Sequence, residues 1–407
     1  MQRMKRLAAI FTIFFCISLL LAGCWNRREL NEVAITVALG IDKSEGKYAV
    51  SAQVVNPSEV AARKGEGGKG APVVTFLEKG DTIHEALRRM TTDSPRKIYL
   101  SHIRMIVFGE ELAREGIGKT LDFLSRDHEM RTDYYISIAK GMTAEKILSE
   151  YTIPQEIIPA NHMYKSLETS DEAWAATAKI SLDDLISDII KEGKQPVITG
   201  IVIMGAKNEE EVQTKENVES IRPISNLHFP GMAVFKSDKL IDWLSEDESK
   251  GYNYTQGNVK STVVEVACPG GGKIGVELIR TKEKLEAEME NGKPAATIDL
   301  RVEGNVSDVE CASIDVSKEE SIYELEKKVE QRIQAVIEDV VYKAQHNYKA
   351  DIFGFGEALY RSDPNAWKKL KDNWEREFIN LSLNVKVDAK IRRIGTISKS
   401  FQDKLKG

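Results

Sequence analysis

The sequence predicts an α+β protein of three mixed domains, and three observations support this fold class. A chain of 407 residues suffices for two or three hydrophobic cores, at roughly 150 residues per domain. Runs rich in β-branched residues mix with helical patterns, without the strict β-α alternation of a doubly wound fold. The last third pairs strand patterns with a long amphipathic helix, so we expect an antiparallel sheet packed by that helix.

The N-terminal domain is predicted at residues 24–185 as a mixture of strands and short helices. A hairpin is indicated where two β-branched runs flank Ser44-Glu45-Gly46. The predicted strands are residues 33–42, 47–56, 73–77, 103–108 and 134–139. The predicted helices follow Asp81 and Thr143 as caps, fill residues 110–126 and occupy much of 150–190, with Ser181 as a further cap.

A small middle domain is predicted at residues 186–255 and a C-terminal α+β domain at 256–400. In the middle domain, residues 196–204 and 232–235 are strand-like and flank an acidic segment. The C-terminal domain has strand patterns at residues 259–267, 273–281, 296–302 and 381–391. Its long helix, within residues 318–348, carries apolar residues in steps of three or four: Ile322, Leu325, Val329, Ile333, Val336, Val340 and Ala344.

The first 23 residues are predicted to be a lipoprotein signal peptide. A cationic start precedes an apolar run at residues 7–21, whose helix would be about 22 Å long and so shorter than the ~30 Å hydrocarbon core. Leu21-Ala-Gly-Cys24 then matches the bacterial lipobox, with cleavage between Gly23 and Cys24. We therefore expect a diacylglyceryl lipid on Cys24 and no other cofactor, since two acyl chains give stable anchoring.

Charge and motif spacing exclude several functions. The net charge is −6, and −9 without the leader, so nucleic acid is an unsuitable partner. No histidine pair has zinc-ligand spacing and no nucleophile elbow occurs, so neither a metal site nor a catalytic residue is predicted. Cys268 and Cys311 could form a disulfide in an oxidising compartment, but the sequence favours buried free thiols.

Two glycine-rich stretches are better explained by backbone geometry than by phosphate binding. Gly270-Gly-Gly272 precedes Lys273 but lacks the spacing of a phosphate loop, and a strand rather than a helix follows. Asp351-Ile-Phe-Gly-Phe-Gly356 lies between helical patterns and lacks a third glycine. We interpret the first as a hairpin turn and the second as a tight connection whose aromatic side chains fill the core.

These motifs resemble the Ger(x)C family of spore germination lipoproteins, the C subunits of GerA-type germinant receptors. The resemblance covers nearly the whole chain. Its blocks are Leu21-Ala-Gly-Cys-Trp-Asn-Arg-Arg-Glu-Leu-Asn-Glu-Val-Ala-Ile35, Gly40-Ile-Asp42, Ser101-His-Ile-Arg-Met-Ile-Val-Phe-Gly-Glu-Glu-Leu-Ala-Arg-Glu-Gly116, Leu121-Asp-Phe-Leu-Ser-Arg-Asp127, Asp351-Ile-Phe-Gly-Phe-Gly356, Trp367-Lys-Lys-Leu370 and Trp374. One departure is Asn26, where the family commonly has an acidic residue.

The resemblance implies a three-domain ectodomain on the outer face of the spore inner membrane. Its implied partners are the bilayer, a polytopic A subunit and a transporter-like B subunit, with which it would form a nutrient receptor. Cys24 transfers as the lipid acceptor, and no catalytic residue transfers. Five residues transfer as family markers for which a structural role is expected: Asp351, Gly354, Gly356, Trp367 and Trp374.

The alternative function is a solute-binding lipoprotein of an uptake system. Such proteins have two doubly wound lobes around a hinged cleft, whereas this sequence predicts β-rich mixed domains and one long helix. A secreted hydrolase is a third possibility, for which the sequence nominates no nucleophile or base. We therefore expect a receptor subunit that acts through protein contacts.

Overall fold

The computed structural model describes residues 2–21, 32–63, 70–150, 156–205, 221–268, 271–311, 315–316 and 318–393. Its first element is helix α1 (Gln2–Leu21), which covers the predicted apolar leader. The predicted cleavage and lipidation residues, Gly23 and Cys24, lie outside the described residues. Two sheets organise the rest of the described chain, and each forms its own structural unit.

The first unit is built on a mixed sheet that contains ten strands of the described chain. They are β1 (Val33–Ser44), β2 (Lys47–Val55), β3 (Val73–Gly80), β4 (Lys97–Tyr99), β5 (Met105–Gly109), β6 (Tyr135–Ala139), β7 (Val197–Met204), β8 (Asn226–His228), β9 (Met232–Lys236) and β10 (Lys239–Leu244). The order is β10-β9-β7-β6-β5-β1-β2-β3, with β4 beside β1 and β8 beside β7. The neighbours β1, β5, β6 and β7 are mutually parallel, so all four begin at one end of the sheet, which we call the leading end.

Helices cover both faces of this sheet because its central strands are apolar on both sides. The helices are α2 (Pro57–Arg63), α3 (Ile83–Arg89), α4 (Glu110–Glu115), α5 (Gly118–Arg126), α6 (Ala144–Leu148), α7 (Pro159–Ala173) and α8 (Leu182–Ile190). On one face Leu39 and Ile106 pack with residues of α3, α4, α5 and α8. On the other, Ala38 and Met105 pack with α6 and α7. The unit is therefore a three-layer sandwich.

The second unit is a four-stranded sheet packed on one side by a long helix, as the sequence predicts. Its elements are α9 (Glu246–Gln256), β11 (Thr262–Ala267), β12 (Lys273–Glu290), β13 (Lys293–Val309), α10 (Glu319–Lys343), α11 (Phe355–Ser362), α12 (Pro364–Leu370), α13 (Trp374–Ile379) and β14 (Ser382–Arg393). Strands β11, β12 and β13 are antiparallel, but β14 joins β13 in parallel. Helices α10 to α13 lead the chain back to the end of the sheet where β13 begins, so β14 starts there and runs in the same direction as β13.

The predicted apolar stripe of α10 forms most of the core beneath this sheet. Leu325, Val329, Ile333 and Val340 are buried as predicted, and Ile337 rather than its neighbour Val336 is fully buried. The stripe packs in one cluster with the inward-facing residues of β11 to β14. These findings confirm the predicted α+β fold class and the packing of the last sheet by a long amphipathic helix.

The strands of the predicted middle domain extend the first sheet. Strands β7, β9 and β10 fall within residues 186–255, and they continue the same hydrogen-bonded order as β1, β5 and β6. In contrast, α9 packs mainly against α10 of the second unit. The three-domain division remains a prediction, while the sheet topology groups the strands into two units.

Three local predictions were wrong. Helix α3 is capped by Thr82, whose side chain accepts a hydrogen bond from the Glu85 amide, and not by Asp81. In the C-terminal domain Asp363-Pro364 predicts the start of one further helix, with Trp367, Leu370 and Trp374 on its inner face. In the structure a 3-10 turn divides this stretch into α12 and α13. Cys268 and Cys311 form a disulfide with Cα atoms 5.9 Å apart, because β12 pairs with both β11 and β13 and so brings the ends of those two strands together.

Candidate functional site

The buried carboxylate of Asp351 organises the connection between α10 and α11. Its Oδ1 accepts hydrogen bonds from the backbone amides of Phe353, Gly354 and Phe355 at 2.9–3.2 Å. Its Oδ2 accepts hydrogen bonds from the Gly356 amide at 2.8 Å and from the Trp374 indole described below. One side chain therefore satisfies four of the amides that would otherwise lack partners at the start of a helix.

The electrostatics of Asp351 reflect two opposed effects. Asp351 is only 4% exposed, and this burial raises the pKa of its carboxyl group above the ordinary value. The hydrogen bonds from the Gly356 amide and the Trp374 indole lower the same pKa without reversing its direction. Both oxygens of the carboxyl group thus accept hydrogen bonds in a site with little access to water, as expected for a residue with a structural role.

The glycines of this motif are required by close contact and by backbone conformation. Gly354 has φ +83°, in the left-handed region that favours glycine. A Cβ built on Gly356 would lie 2.7 Å from the Cα of Gly193, in the loop after α8. The backbones of the two units therefore touch here, and only residues without a side chain allow that approach.

The two marker tryptophans complete this contact. Trp367 and Trp374 are 3% and 8% exposed and pack edge to face with ring centroids 5.1 Å apart. The Trp374 Nε1 donates to Asp351 Oδ2 at 3.0 Å, and the Trp367 Nε1 donates to Glu192 Oε2 at 3.4 Å. Lys371 also donates to Glu192, at 2.9 Å. This hydrogen bond from Lys371, followed by that from Trp367, lowers the pKa of the Glu192 carboxyl group.

Further hydrogen bonds join the same loop to both units. The Gln195 amide donates to the Asp351 carbonyl oxygen at 2.7 Å, and the Gln195 side chain accepts from the Ser237 amide at 2.5 Å. Lys236 of β9 forms an ion pair with Glu375 at 2.6 Å. We call these contacts the seam, which consists of residues 191–195 and 236–237 of the first unit and residues 351–356 and 367–375 of the second.

A groove of about 830 Å³ lies along the seam, and we call it the junction groove. Its walls come from the end of α8 and the β9–β10 turn on one side and from residues 349–351 and 367–380 on the other. Aromatic, aliphatic and charged side chains all contribute to its lining. A groove of this size between two units is a usual place for a ligand or a partner segment.

The structure also explains the Gly40-Ile-Asp42 block of the first unit. The buried side chain of Asp42 accepts hydrogen bonds from the amides of Ala144 and Glu145 at 2.8 and 3.0 Å. It therefore caps α6 from a strand about a hundred residues earlier. Burial raises the pKa of Asp42, and these two hydrogen bonds oppose that shift. Gly40 lies under the same helix start, where a Cβ would be 3.1 Å from that of Ala144.

The structure brings all five family-marker residues of the second unit together at the seam. The other two predicted site residues, Gly23 and Cys24, are not among the described residues. Three partners of the markers, Glu192, Gly193 and Gln195, were not predicted from the sequence. A signal for them exists in Lys191-Glu-Gly-Lys-Gln-Pro196, where glycine and proline mark the end of α8. Nothing in the sequence indicates what this loop contacts.

Within the described ranges, no three side chains of His, Cys, Asp or Glu gather as metal ligands. Of the described helices, none combines the length and the apolarity that crossing a bilayer demands. The seam itself contains buried tryptophans, a satisfied carboxylate and paired surface charges. Such an arrangement can fix two units rigidly and present a groove.

The fold and the seam define a class: two-unit α+β proteins whose sheets are joined by an Asp-Gly-Trp contact. Comparisons with known proteins agree with this description. A family described as "Spore germination protein N-terminal domain" matches residues 26–203, and one described as "Spore germination B3/ GerAC like, C-terminal" matches residues 230–395. The chain belongs to the Ger(x)C family of spore germination proteins.

Individual relatives cover nearly the whole chain. Spore germination protein KC of Bacillus subtilis is 33% identical over 385 residues, which is 93% of each chain. The putative spore germination protein YfkR of the same organism is 27% identical over 96% of this chain and 99% of its own. Spore germination protein B3, also of Bacillus subtilis, is 23% identical over the same shares.

A solved structure has the same fold. The crystal structure of the GerBC protein matches with a TM-score of 0.55 and 21% identity, covering 87% of this chain and 96% of that one. At this identity the match describes the fold alone. It agrees with the α+β architecture described above.

Proposed function

We propose that this protein is the lipid-anchored C subunit of a nutrient germinant receptor and acts in spore germination through protein contacts at the membrane. Membership of the Ger(x)C family, carried by matches over residues 26–203 and 230–395, is the observation that carries this proposal. The relatives named above are spore germination proteins, and the matches to them cover 93% to 99% of their length. The proposed partners are a polytopic A subunit and a transporter-like B subunit.

The lipobox supports the proposed anchor. Leu21-Ala-Gly-Cys24 follows a cationic start and a 15-residue apolar run, the arrangement of a lipoprotein leader. A diacylglyceryl group on Cys24 would hold the two units against the outer leaflet of the spore inner membrane, since two acyl chains suffice for stable binding. Confinement beside the membrane raises the effective concentration toward membrane partners, so assembly needs little intrinsic affinity.

The geometry of the described chain is compatible with a receptor subunit that performs no catalysis. At the seam Asp351 is buried with hydrogen-bond partners, and Glu192 and Glu375 are each paired with a lysine, which is the pattern of a structural contact. The alternative of a solute-binding lipoprotein requires two doubly wound lobes. Here the second unit is a four-stranded sheet with three antiparallel strands and a parallel fourth, so no observation favours that alternative.

Replacement of the lipid acceptor tests the proposal. In spores that carry Cys24→Ala, we expect the protein to leave the membrane fraction and the nutrient response to be lost or strongly slowed. Cys16→Ala is the matched control, because it changes a cysteine of the same leader outside the lipobox. Mass spectrometry of the purified native protein should find a diacylglyceryl group on residue 24. A Cys24→Ala protein that stays at the membrane and supports normal germination would overturn the proposal.

A further inference from the structure

We propose that the junction groove is the docking surface for an acidic extracytoplasmic segment of a membrane-embedded protein. This inference rests on the proposed function, because the anchor at Cys24 gives the groove its orientation toward the membrane. Three observations lead to it: the direction of the strands, the charges in the groove and an exposed isoleucine at its edge.

The direction of the strands places the groove at the tethered end of the first unit. Val33, where β1 begins, is nine positions after Cys24 in the chain, so it lies at most about 30 Å from the anchored residue. Val33 is at the leading end of the sheet, and so is Val197, where the parallel strand β7 begins. The residues just before Val197 line the groove.

The lateral distance between the tether and the groove is small. Strand β7 is three places from β1 in the sheet, which is about 14 Å at a spacing of 4.8 Å per strand, and the register places Val197 level with Ala38, about 17 Å along β1 from Val33. The opposite end of the sheet, where the parallel strands finish, faces away from the tether. A short anchor therefore holds the groove within reach of the bilayer surface and of proteins embedded in it.

The charges of the groove favour an anionic occupant. Two lysines in its lining are neutralised by Glu192 and Glu375, and the carboxylate of Asp351 is enclosed by its own donors. Lys349 and Arg376 line the groove and are exposed, and neither has an ion-pair partner among the described residues. These two cations are available to bind carboxylates.

The charge distribution in the groove favours a polypeptide segment over a lipid surface. The lining includes the exposed Asp372, whose charge would repel a continuous anionic headgroup layer. A single chain segment can place its carboxylates beside Lys349 and Arg376 and avoid Asp372. Ile190, which is 73% exposed at the end of α8 and lines the same groove, offers an apolar contact for such a segment.

Site-specific crosslinking in the full-length, membrane-anchored protein tests this inference. A photoreactive benzophenone amino acid replaces Ile190, and spore membranes are irradiated in two backgrounds. The test background carries Lys349→Glu with Arg376→Glu. The control background carries Arg280→Glu with Lys282→Glu, two exposed cations on the outer side of β12. The register pairs Arg280 with a residue of β13 that in turn pairs with Lys390 of β14. Lys390 is roughly 26 Å along β14 from Ser382, at 3.3 Å per residue, and Ser382 follows closely after the groove residue Asn380. The control cations therefore lie far from the groove.

We expect the crosslink to map by mass spectrometry to an acidic extracytoplasmic loop of a membrane-spanning protein. Its yield should fall at least about tenfold in the Lys349→Glu, Arg376→Glu background and remain unchanged in the control, since like charges would then face each other. A lysine placed at the mapped acidic residue should restore the yield in the charge-reversed background. Tryptophan fluorescence checks that both variants keep the fold of the seam.

Several results would overturn the inference. These are an undiminished yield after charge reversal, a crosslink to a second copy of this chain, a crosslink to lipid, or no protein crosslink at all. Membrane fractionation separates this failure from failure of the proposed function. If the groove variants stay anchored and Cys24→Ala does not, the tether stands and only the docking surface is refuted.

Discussion

The substitution Asp351→Asn tests whether the buried carboxylate holds the seam together. Asparagine keeps the size of the side chain and one acceptor oxygen, which can still serve the three amides that bond Oδ1. Its amide group would then face two other donors, the Gly356 N–H and the Trp374 Nε1–H. Each buried donor left without an acceptor costs about 1–3 kcal/mol, so we expect destabilisation of about 2–6 kcal/mol.

Urea unfolding followed by tryptophan fluorescence measures this loss, and Trp374 itself reports on the seam. Asp363→Asn is the matched control. Asp363 accepts hydrogen bonds from the Asn365 and Ala366 amides at the start of α12, and asparagine caps helices as well as aspartate does. The control should change the free energy of unfolding by less than about 0.5 kcal/mol. If Asp351→Asn matches the control, the carboxylate does not carry the role assigned to it.

Three further predictions concern packing, covalent structure and pH. Gly356→Ala should lower the melting temperature and cost about 1–3 kcal/mol of stability, because the added Cβ would lie 2.7 Å from the backbone of the loop after α8. A higher melting temperature, as the better helix propensity of alanine alone would give, would contradict this contact. Thiol alkylation without reductant should leave Cys268 and Cys311 unlabelled, whereas labelling of both would show free thiols. Reduction should lower the free energy of unfolding by about 2–4 kcal/mol, since the disulfide closes a sequence separation of 43. Burial lowers the pKa of His162 below its ordinary 6.5, so the unfolded chain binds more protons and the free energy of unfolding should fall as pH drops from 6.5. His162→Gln should remove that part of the dependence of stability on pH, and the control His228→Gln, at an exposed position, should leave it in place.

Regular periodicity explains why much of the fold could be predicted from the sequence. The stripe of α10 repeats every three or four residues over more than six turns, and only an amphipathic helix fits that pattern. The hairpin of β1 and β2 follows from two β-branched runs around Glu45-Gly46, and both turn residues adopt positive φ. In each case the pattern and the element lie in one stretch of chain.

The full length of the β12–β13 hairpin was missed, although the sequence contains its turn. Asn291-Gly292 has positive φ at both positions, the usual preference of a two-residue hairpin turn. The flanking residues 282–290 are mostly charged, so the predicted strand stopped at residue 281. In the structure these charges alternate on a half-buried ladder that extends to the turn, with Glu290 opposite Lys293. Recognition of Asn-Gly would have corrected the prediction.

The seam could not be predicted because its partners are distant in the chain and largely backbone. The Asp351 motif predicts a tight connection, but its hydrogen bonds go to amides, which every sequence contains. Gly193 and Gly356 touch across 163 positions of sequence, and neither residue alone indicates the other. Likewise, the pairing of Cys268 with Cys311 depends on the registers of β11 and β13 against β12, which lies between them. Such contacts are set by tertiary structure, which periodicity does not encode.

The parallel entry of β14 has a consequence for biogenesis. Ala295 pairs with Ser382, a residue synthesised almost ninety positions later. One edge of β13 therefore has no hydrogen-bonded neighbour until β14 has been made. Until the ribosome and the translocation machinery have delivered that last strand, an unpaired edge can join other nascent chains. Premature stop codons even slightly upstream of Ser382 should therefore yield protein that aggregates or is degraded, rather than a shortened protein that keeps partial function.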